Sequence, residues 1–311
     1  MGQLLIGRLR DAMLGIGQDH DLRAHEQLPV ERARVHVDFH TCNYASLAVR
    51  LPRLIRAGHL LGSDAEGDRL DLLGQSYLLA TRMLVKLDEQ QLGWMAADRA
   101  RQVAEAGGHP LAVAEAARNL AVLARRAGWE EQALSIALNA ADAPALRASR
   151  SGAAERGLLI QSAAYSAARG GDREGMRELT DEAAAIAAGL GGTTALRDHG
   201  GFSLATVQLH RISAEFSTGD PSAALDAARA LPPQSLPSVE RRARYYADVA
   251  AALAQRGRRD ECVAALLAAE HQAPQETHSR PAVRSLISGL LMSGRATPEL
   301  RALAARAGAL P

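Results

Sequence analysis

The sequence has few aromatic residues, two cysteines and no long apolar run. Aromatic side chains make up 3 % of 311 residues although 47 % are hydrophobic, so alanine and leucine must fill the interior, which suits closely packed helices. Cys42 and Cys262 are too few for a disulfide framework. No run approaches the roughly 18 apolar residues of a membrane helix, and charged residues at 8–11 stand where a signal peptide needs an apolar core. We therefore expect a cytoplasmic protein that does not enter a membrane.

An excess of positive charge is also absent. The chain has 36 lysine and arginine residues against 35 aspartate and glutamate residues, whereas a nucleic-acid-binding domain carries a basic surface. This balance predicts that the chain alone does not bind duplex DNA directly. Lys86 is the only lysine, so nearly all of the positive charge is on arginine.

The sequence does contain a recurring helical hairpin, seen most clearly at 110–141. Apolar residues before Gly128 are spaced three or four positions apart, as on one face of a helix. Pro110 suits a first helical turn, and Gly128 accepts the left-handed conformation that ends a helix. A second helix follows, with Ala133 and Leu134 facing back toward the first.

Equivalent turns recur at intervals of 38 to 48 residues, at Cys42, Asp88, Gly128, Gly171, Gly219 and Gly257. The residue five positions after each turn is expected to pack beneath the preceding helix: Leu47, Gly93, Ala133, Met176, Ala224 and Cys262. Such self-similarity is typical of an α-solenoid. We predict an all-α fold, a TPR-like (tetratricopeptide-like) solenoid of about six helical hairpins plus a terminal capping pair at 28–311, preceded by a connector helix and linker at 1–27.

The expected elements follow from these turns and from proline and glycine positions. The connector helix is predicted at 3–14, and the hairpins at 29–61, 64–107, 110–142, 151–190, 202–231 and 238–273, with further helices starting near 279–281 and 297. Pro52 is expected to kink or divide its helix. Residues 191–201 form a glycine-rich connection.

Several runs carry a family resemblance. The most distinctive are YLLATRMLVKL at 77–87 and GWMAADRA at 93–100, supported by His40 with Tyr44, Leu51-Pro52, RAGWEEQAL at 126–134, LHR at 209–211, RRAR at 241–244, AQRG at 254–257 and SRPAV at 279–283. Together they resemble the C-terminal TPR-like domain of actinobacterial XRE (Cro/C1-type) helix-turn-helix transcriptional regulators. Residues 5–15 resemble the connector that follows the DNA-binding domain in that family.

The chain departs from that family in two places. No whole DNA-binding domain fits upstream of Leu5, and the Gly-Pro and Asn that often precede the LHR run are absent from 202–206. The second departure affects an element that could shape a ligand pocket in relatives.

The resemblance implies an effector-sensing or partner-binding scaffold. A ligand in the concave groove would shift the pitch of the helical array, and a regulator would pass that shift to DNA-binding heads. This chain is expected to lack such heads, and is then a fragment, a protein encoded beside a separate head, or a domain used alone. Two alternatives stay open: an enzyme or accessory protein of a biosynthetic pathway that uses the groove as its active site, and a pure protein-interaction adaptor. A protein partner or a homodimer is compatible with each.

Candidate ligand-binding residues follow from the repeat register, because the first helix of each TPR-like hairpin lines the concave face. They are Arg32, His36, Gln75, Arg82, Arg118, Asn119, Gln161, Tyr165, His210 and Arg244, with Glu115, Ser162, Thr206, Ser213 and Asp248 on the same face. Guanidinium groups bind carboxylates and phosphates through two parallel hydrogen bonds. We therefore expect a small anionic ligand or an anionic peptide in the groove; a solvated groove without a ligand is the alternative.

No catalytic, metal or cofactor site is predicted. His36 and His40 are one helical turn apart and could share a metal, but no third ligand stands nearby. Cys262 is expected to be buried, and Cys42, at a turn, to be exposed and more reactive, although no base is identifiable beside it. The glycines at 191–192 follow a helix and lack the lysine-serine ending of a phosphate loop.

Overall fold

The structure, a computed structural model, describes residues 2–16, 27–62, 65–191, 201–294 and 296–310. These ranges form 16 α-helices and two short 3₁₀ turns and contain no strand. None of their helices combines the length and apolar character of a membrane-spanning segment. Residues 17–26 of the predicted linker and most of the glycine-rich connection at 191–201 lie outside the described residues.

Twelve of the helices pack as neighbouring pairs, each with a first and a second helix. The pairs are α2 (Leu28–His40) with α3 (Tyr44–Leu60), α4 (Glu66–Lys86) with α5 (Gln90–Ala106), α6 (Pro110–Arg126) with α7 (Glu130–Ala141), α8 (Arg150–Arg169) with α9 (Arg173–Gly189), α10 (Leu204–Ser217) with α11 (Pro221–Arg229), and α12 (Val239–Gln255) with α13 (Arg259–Gln272). Before them lies α1 (Gly2–Met13), and after them lie α14 (Pro274–Ser279), α15 (Pro281–Met292) and α16 (Pro298–Ala307). The sequence predicted these pairs but missed α14.

The turns between paired helices confirm the predicted register. Gly128, Gly171, Gly219 and Gly257 have positive φ angles between 70° and 84°. Cys42 and Asp88 adopt the same left-handed conformation, with φ of 58° and 64°, although it is unfavourable for residues other than glycine. The residue five positions after each turn is buried in all six pairs, as predicted.

Helix α3 runs unbroken across Pro52, so the expected division of this helix is wrong. A proline has no N–H to donate to the carbonyl oxygen four residues earlier in a helix. For Pro52 this is the carbonyl oxygen of Ala48. Arg8 of α1 donates a hydrogen bond to this carbonyl at 3.4 Å. Leu5 and Leu9 of α1 are buried in the same apolar cluster as α3, so α1 packs as part of the helical core.

The first helices pack side by side in chain order, from α2 through α4, α6, α8 and α10 to α12. The last helix of this series, α12, also meets α4, the second helix of the series. Lys86 Nζ lies 2.6 Å from a carboxylate oxygen of Glu240 and 2.8 Å from one of Glu276. Glu276 also accepts hydrogen bonds from Tyr44 and Arg280. We refer to Tyr44, Lys86, Glu240, Glu276 and Arg280 as the closure cluster, because these residues join α3 and α4 to α12 and α14.

Candidate functional site

The first helices surround a central cavity of about 630 Å³, to which all six contribute side chains. Its wall holds nine cationic side chains: Arg82, Lys86, Arg118, Arg125, Arg126, Arg169, Arg241, Arg244 and Arg280. It holds three carboxylates: Asp88, Glu115 and Glu240. The cavity is therefore lined by more positive than negative charge, although the chain as a whole is nearly neutral.

Most of these cations have a carboxylate partner. Outside the closure cluster, Arg118 pairs with Glu155 at 3.2 Å and with Glu115 at 3.6 Å, Arg126 with Asp88 at 2.8 Å, Arg244 with Asp248 at 3.5 Å, and Arg82 with Glu115 at 3.6 Å. Arg241 pairs with Glu240 of the cluster at 3.7 Å. In the closure cluster, burial acts to raise the pKa of Glu240, but Lys86, Arg241 and Arg280 hold it well below its ordinary value. Glu240 therefore stays ionised and paired.

Arg125 and Arg169 differ from the others, since neither has a carboxylate at ion-pair distance among the described residues. Arg125 instead donates to the carbonyl oxygen of Ser162 at 3.1 Å, and its guanidinium lies 5.2 Å from the centroid of the Tyr165 ring. Burial lowers the pKa of Arg125 to about 10, and neighbouring arginines add to the decrease. A bound anion would relieve this repulsion.

Two histidines on the wall are neutral at neutral pH. Burial, followed by the charge of Arg82, lowers the pKa of His40 to about 4. Burial, followed by Arg244 and Arg241, holds the pKa of His210 well below its ordinary value. The Arg241 guanidinium donates to His210 Nε2 at 3.2 Å, so the proton of the neutral ring is on Nδ1.

Several buried polar atoms on the wall have no hydrogen-bond partner among the described residues. They are Asn119 Nδ2, both side-chain polar atoms of Gln161, His210 Nδ1, His40 Nε2, and Arg82 Nε with Glu115 Oε1, which lie 3.6 Å apart. Asn119 and Gln161 are each only 3 % exposed. Buried polar groups nearly always have partners, and an unpaired one costs about 1–3 kcal/mol. These atoms therefore call for a partner that the described residues do not supply, either water or a ligand.

The structure places all ten predicted ligand-binding residues on cavity walls. Seven line the central cavity: Arg82, Arg118, Asn119, Gln161, Tyr165, His210 and Arg244. Arg32, His36 and Gln75, with Arg82, line a second cavity of about 340 Å³ toward the N-terminal ends of α2, α4 and α6. Arg82 and Glu115 line both cavities, and Arg32 is ion-paired with Asp71. The geometry thus divides the predicted residues between two cavities. That these residues bind a ligand stays a prediction.

Sequence reasoning missed several cations of the central cavity. Lys86, Arg126 and Arg169 each stand two residues before a turn residue, and His40 and Ser217 occupy the same position in their own helices. All five line the cavity. The predicted residues stop about one helical turn before these positions. Continuing the same helix face into the last turn of each first helix would have included them.

The expected exposure of Cys42 is wrong. Its side chain is buried, and burial raises its pKa to about 12. The contact of α3 with α14 covers this turn, since Tyr44 and Ala45 bond to Glu276 and Gln275. Cys262 is buried as predicted, and burial raises its pKa to about 11.

Within the described part of the chain, no group of three or more His, Cys, Asp or Glu side chains is arranged to hold a metal ion. His36 and His40 therefore gain no third ligand there. The chain matches no model of a known protein family and no curated protein sequence. Its function has to be argued from the chemistry of the cavity.

Proposed function

We propose that the protein is a TPR-like helical-repeat scaffold, related to the C-terminal domain of XRE-type regulators, that senses a small anionic ligand bound in the central cavity. The excess of cations over carboxylates on the cavity wall carries this proposal. Recurrence of the hairpin at 38 to 48 residues supports the repeat assignment.

The charge of the wall favours an anion over a neutral ligand. Buried like charges repel strongly because the surroundings screen them poorly. Arg125, whose polar partners are serine oxygens, has a lowered pKa for this reason together with burial. An anion beside it would supply the missing counter-charge.

The size of the cavity favours a small molecule. Pockets for small ligands commonly enclose about 300–1,000 Å³, and the central cavity has about 630 Å³. A folded protein partner would not enter it, whereas a metabolite or the end of a peptide would.

The closure cluster gives such a ligand a route to the helical arrangement. Lys86, Glu240 and Arg280 belong to this cluster and also line the cavity. An anion that binds Lys86 or Arg280 competes with Glu240 and so changes the contact between α4 and α12. A ligand shifts a conformational equilibrium only through such differential contacts.

The test uses inorganic pyrophosphate and citrate as probes, with sodium chloride at the same ionic strength as the reference. We expect pyrophosphate or citrate to raise the melting temperature. Arg125→Met should weaken binding about thirtyfold or more, because a desolvated charge pair is lost. The control is Arg101→Met, which removes the same charge from an exposed site on α5 paired with Asp98 and Glu105.

The proposal fails if neither anion stabilises the protein beyond the salt reference. It fails equally if Arg125→Met binds the anions as tightly as the unaltered chain.

A further inference from the structure

The wall of the central cavity has two chemically different levels. The first is cationic and lies in the last turns of α4, α6 and α8, where Lys86, Arg125, Arg126 and Arg169 stand. The negative end of the helix dipole attracts cations to such positions, which would account for the exposed Arg126 and Arg169 without any ligand. It does not account for Arg125, which turns inward against Tyr165 and Ser162.

The second level carries uncharged hydrogen-bonding groups beside two arginines, Arg118, which is ion-paired with Glu155, and Arg241, which donates to His210. Asn119, Gln161 and His210 stand seven or eight residues before the ends of their helices, which is about 10 Å deeper along a helix axis. Val122 and Leu158 line the cavity beside them. The unpartnered buried atoms of Asn119, Gln161 and His210 are therefore all at this level.

The count of charges around the cavity suggests a multiply charged ligand. Nine cations line the wall, and six carboxylates either line it or bind those cations: Asp88, Glu115, Glu155, Glu240, Asp248 and Glu276. His40 and His210 add no charge at neutral pH because their pKa values are low. Three positive charges are left over, more than one carboxylate group would balance. A terminal phosphate carries a charge of about −1.5 to −2 at pH 7, and with its neighbour a diphosphate supplies about three.

The amide side chains of the second level suggest what is attached to that group. Gln161 has both an unpartnered donor and an unpartnered acceptor on one buried amide, and it lines the cavity. Such an amide pairs with two adjacent groups on the edge of a nucleobase. We infer that the ligand of the central cavity is a nucleoside diphosphate, with its phosphates against Arg125 and its base against Gln161 and Asn119. This inference rests on the proposed function and names the class of ligand for the same site.

The experiment is calorimetric titration of the full chain at constant ionic strength without divalent cations. The probes are ADP, GDP, CDP, UDP, inorganic pyrophosphate, adenosine and the acidic peptide triglutamate. We expect at least one nucleoside diphosphate to bind about tenfold or more tightly than pyrophosphate, and adenosine to bind more weakly than pyrophosphate.

Matched glutamine variants locate the base. Gln161→Leu should remove the advantage of the preferred nucleotide over pyrophosphate and leave pyrophosphate affinity unchanged, which also shows that the variant is folded. Gln102→Leu alters an exposed side chain of α5 that is bonded to Asp98 and lines neither cavity, and it should change neither affinity. If Gln161→Leu also lost pyrophosphate binding, Gln161→Glu would be tested in its place. We expect this variant, too, to bind the preferred nucleotide no more tightly than pyrophosphate.

The outcomes separate the two claims. If pyrophosphate binds and no nucleotide binds more tightly, the nucleotide inference is overturned while the proposed function stands. Tightest binding of triglutamate would overturn it in favour of an acidic peptide. If none of the anions binds, both the inference and the proposed function fail.

Discussion

Two groups of cations on the same cavity wall differ in their counter-charges. In the closure cluster, Lys86 and Arg280 are both bonded to Glu276, whose side chain is fully buried. Arg125, by contrast, contacts serine oxygens and the ring of Tyr165. A buried ion pair resists loss of either partner because an unpaired buried charge is costly. A cation without a carboxylate contributes little to the fold and is available to an anion from outside. The two groups thus separate cations whose charge is already balanced by carboxylates from a cation whose counter-charge a ligand would supply.

The largest expected effect comes from breaking the closure cluster. Lys86→Met removes a partner from both Glu240 and Glu276, and we expect the free energy of unfolding to fall by about 3 kcal/mol. Urea denaturation measures this change. Arg101→Met, in an exposed ion-pair group on α5, should change it by less than about 0.5 kcal/mol. A loss below about 1 kcal/mol for Lys86→Met would show that Arg280 alone neutralises Glu276.

The parts of the fold that sequence predicted are local. A turn such as Gly128 and a small buried residue such as Ala133 lie within one hairpin, so their spacing repeats along the chain and can be read from it. The closure cluster joins residues 154 to 232 positions apart, and no periodicity records such a contact. The burial of Cys42 was missed for this reason.

Only part of the candidate site was predicted, again because sequence spacing records local structure and not contacts between distant helices. Helical spacing identified the inner face, so Gln161 and Tyr165 were found with the correct orientation. It did not reveal that the predicted residues would divide between two cavities, because that division depends on contacts between distant helices such as α4 and α12. Nor did it show which arginines of the cavity wall have no carboxylate at ion-pair distance among the described residues, since that depends on side chains of neighbouring helices.

A smaller effect on stability should appear when a fall in pH protonates His40, which lines the central cavity. His40 faces the cations Arg82, Lys86 and Arg241 and the carboxylate Glu240. Its pKa is about 4 in the folded chain against 6.5 in the unfolded one, so the unfolded chain binds more protons between these values. The free energy of unfolding should therefore decrease as pH falls from 6.5 to 4, by roughly 1 kcal/mol per pH unit.

Urea denaturation at pH 7, 6 and 5 measures this slope, to which buried His210 adds in the same direction. His40→Gln should reduce it, because the substituted side chain takes up no proton. Equal slopes in the variant and the unaltered chain would show that the acid sensitivity arises elsewhere.

The smallest expected effect on stability is that of Arg125→Met. The substitution removes hydrogen bonds to Ser162 and Ser166, each worth about 1 kcal/mol. It also removes a charge whose folded form is disfavoured by burial and by other arginines, as the lowered pKa of about 10 shows. These effects oppose each other, so the free energy of unfolding should change by less than about 1 kcal/mol in either direction. Urea denaturation of Arg125→Met and Lys86→Met under the same conditions measures the two changes in the free energy of unfolding. A loss as large as that of Lys86→Met would mean that Arg125 also holds the fold together, and weaker anion binding by the variant could then no longer be assigned to the lost charge alone.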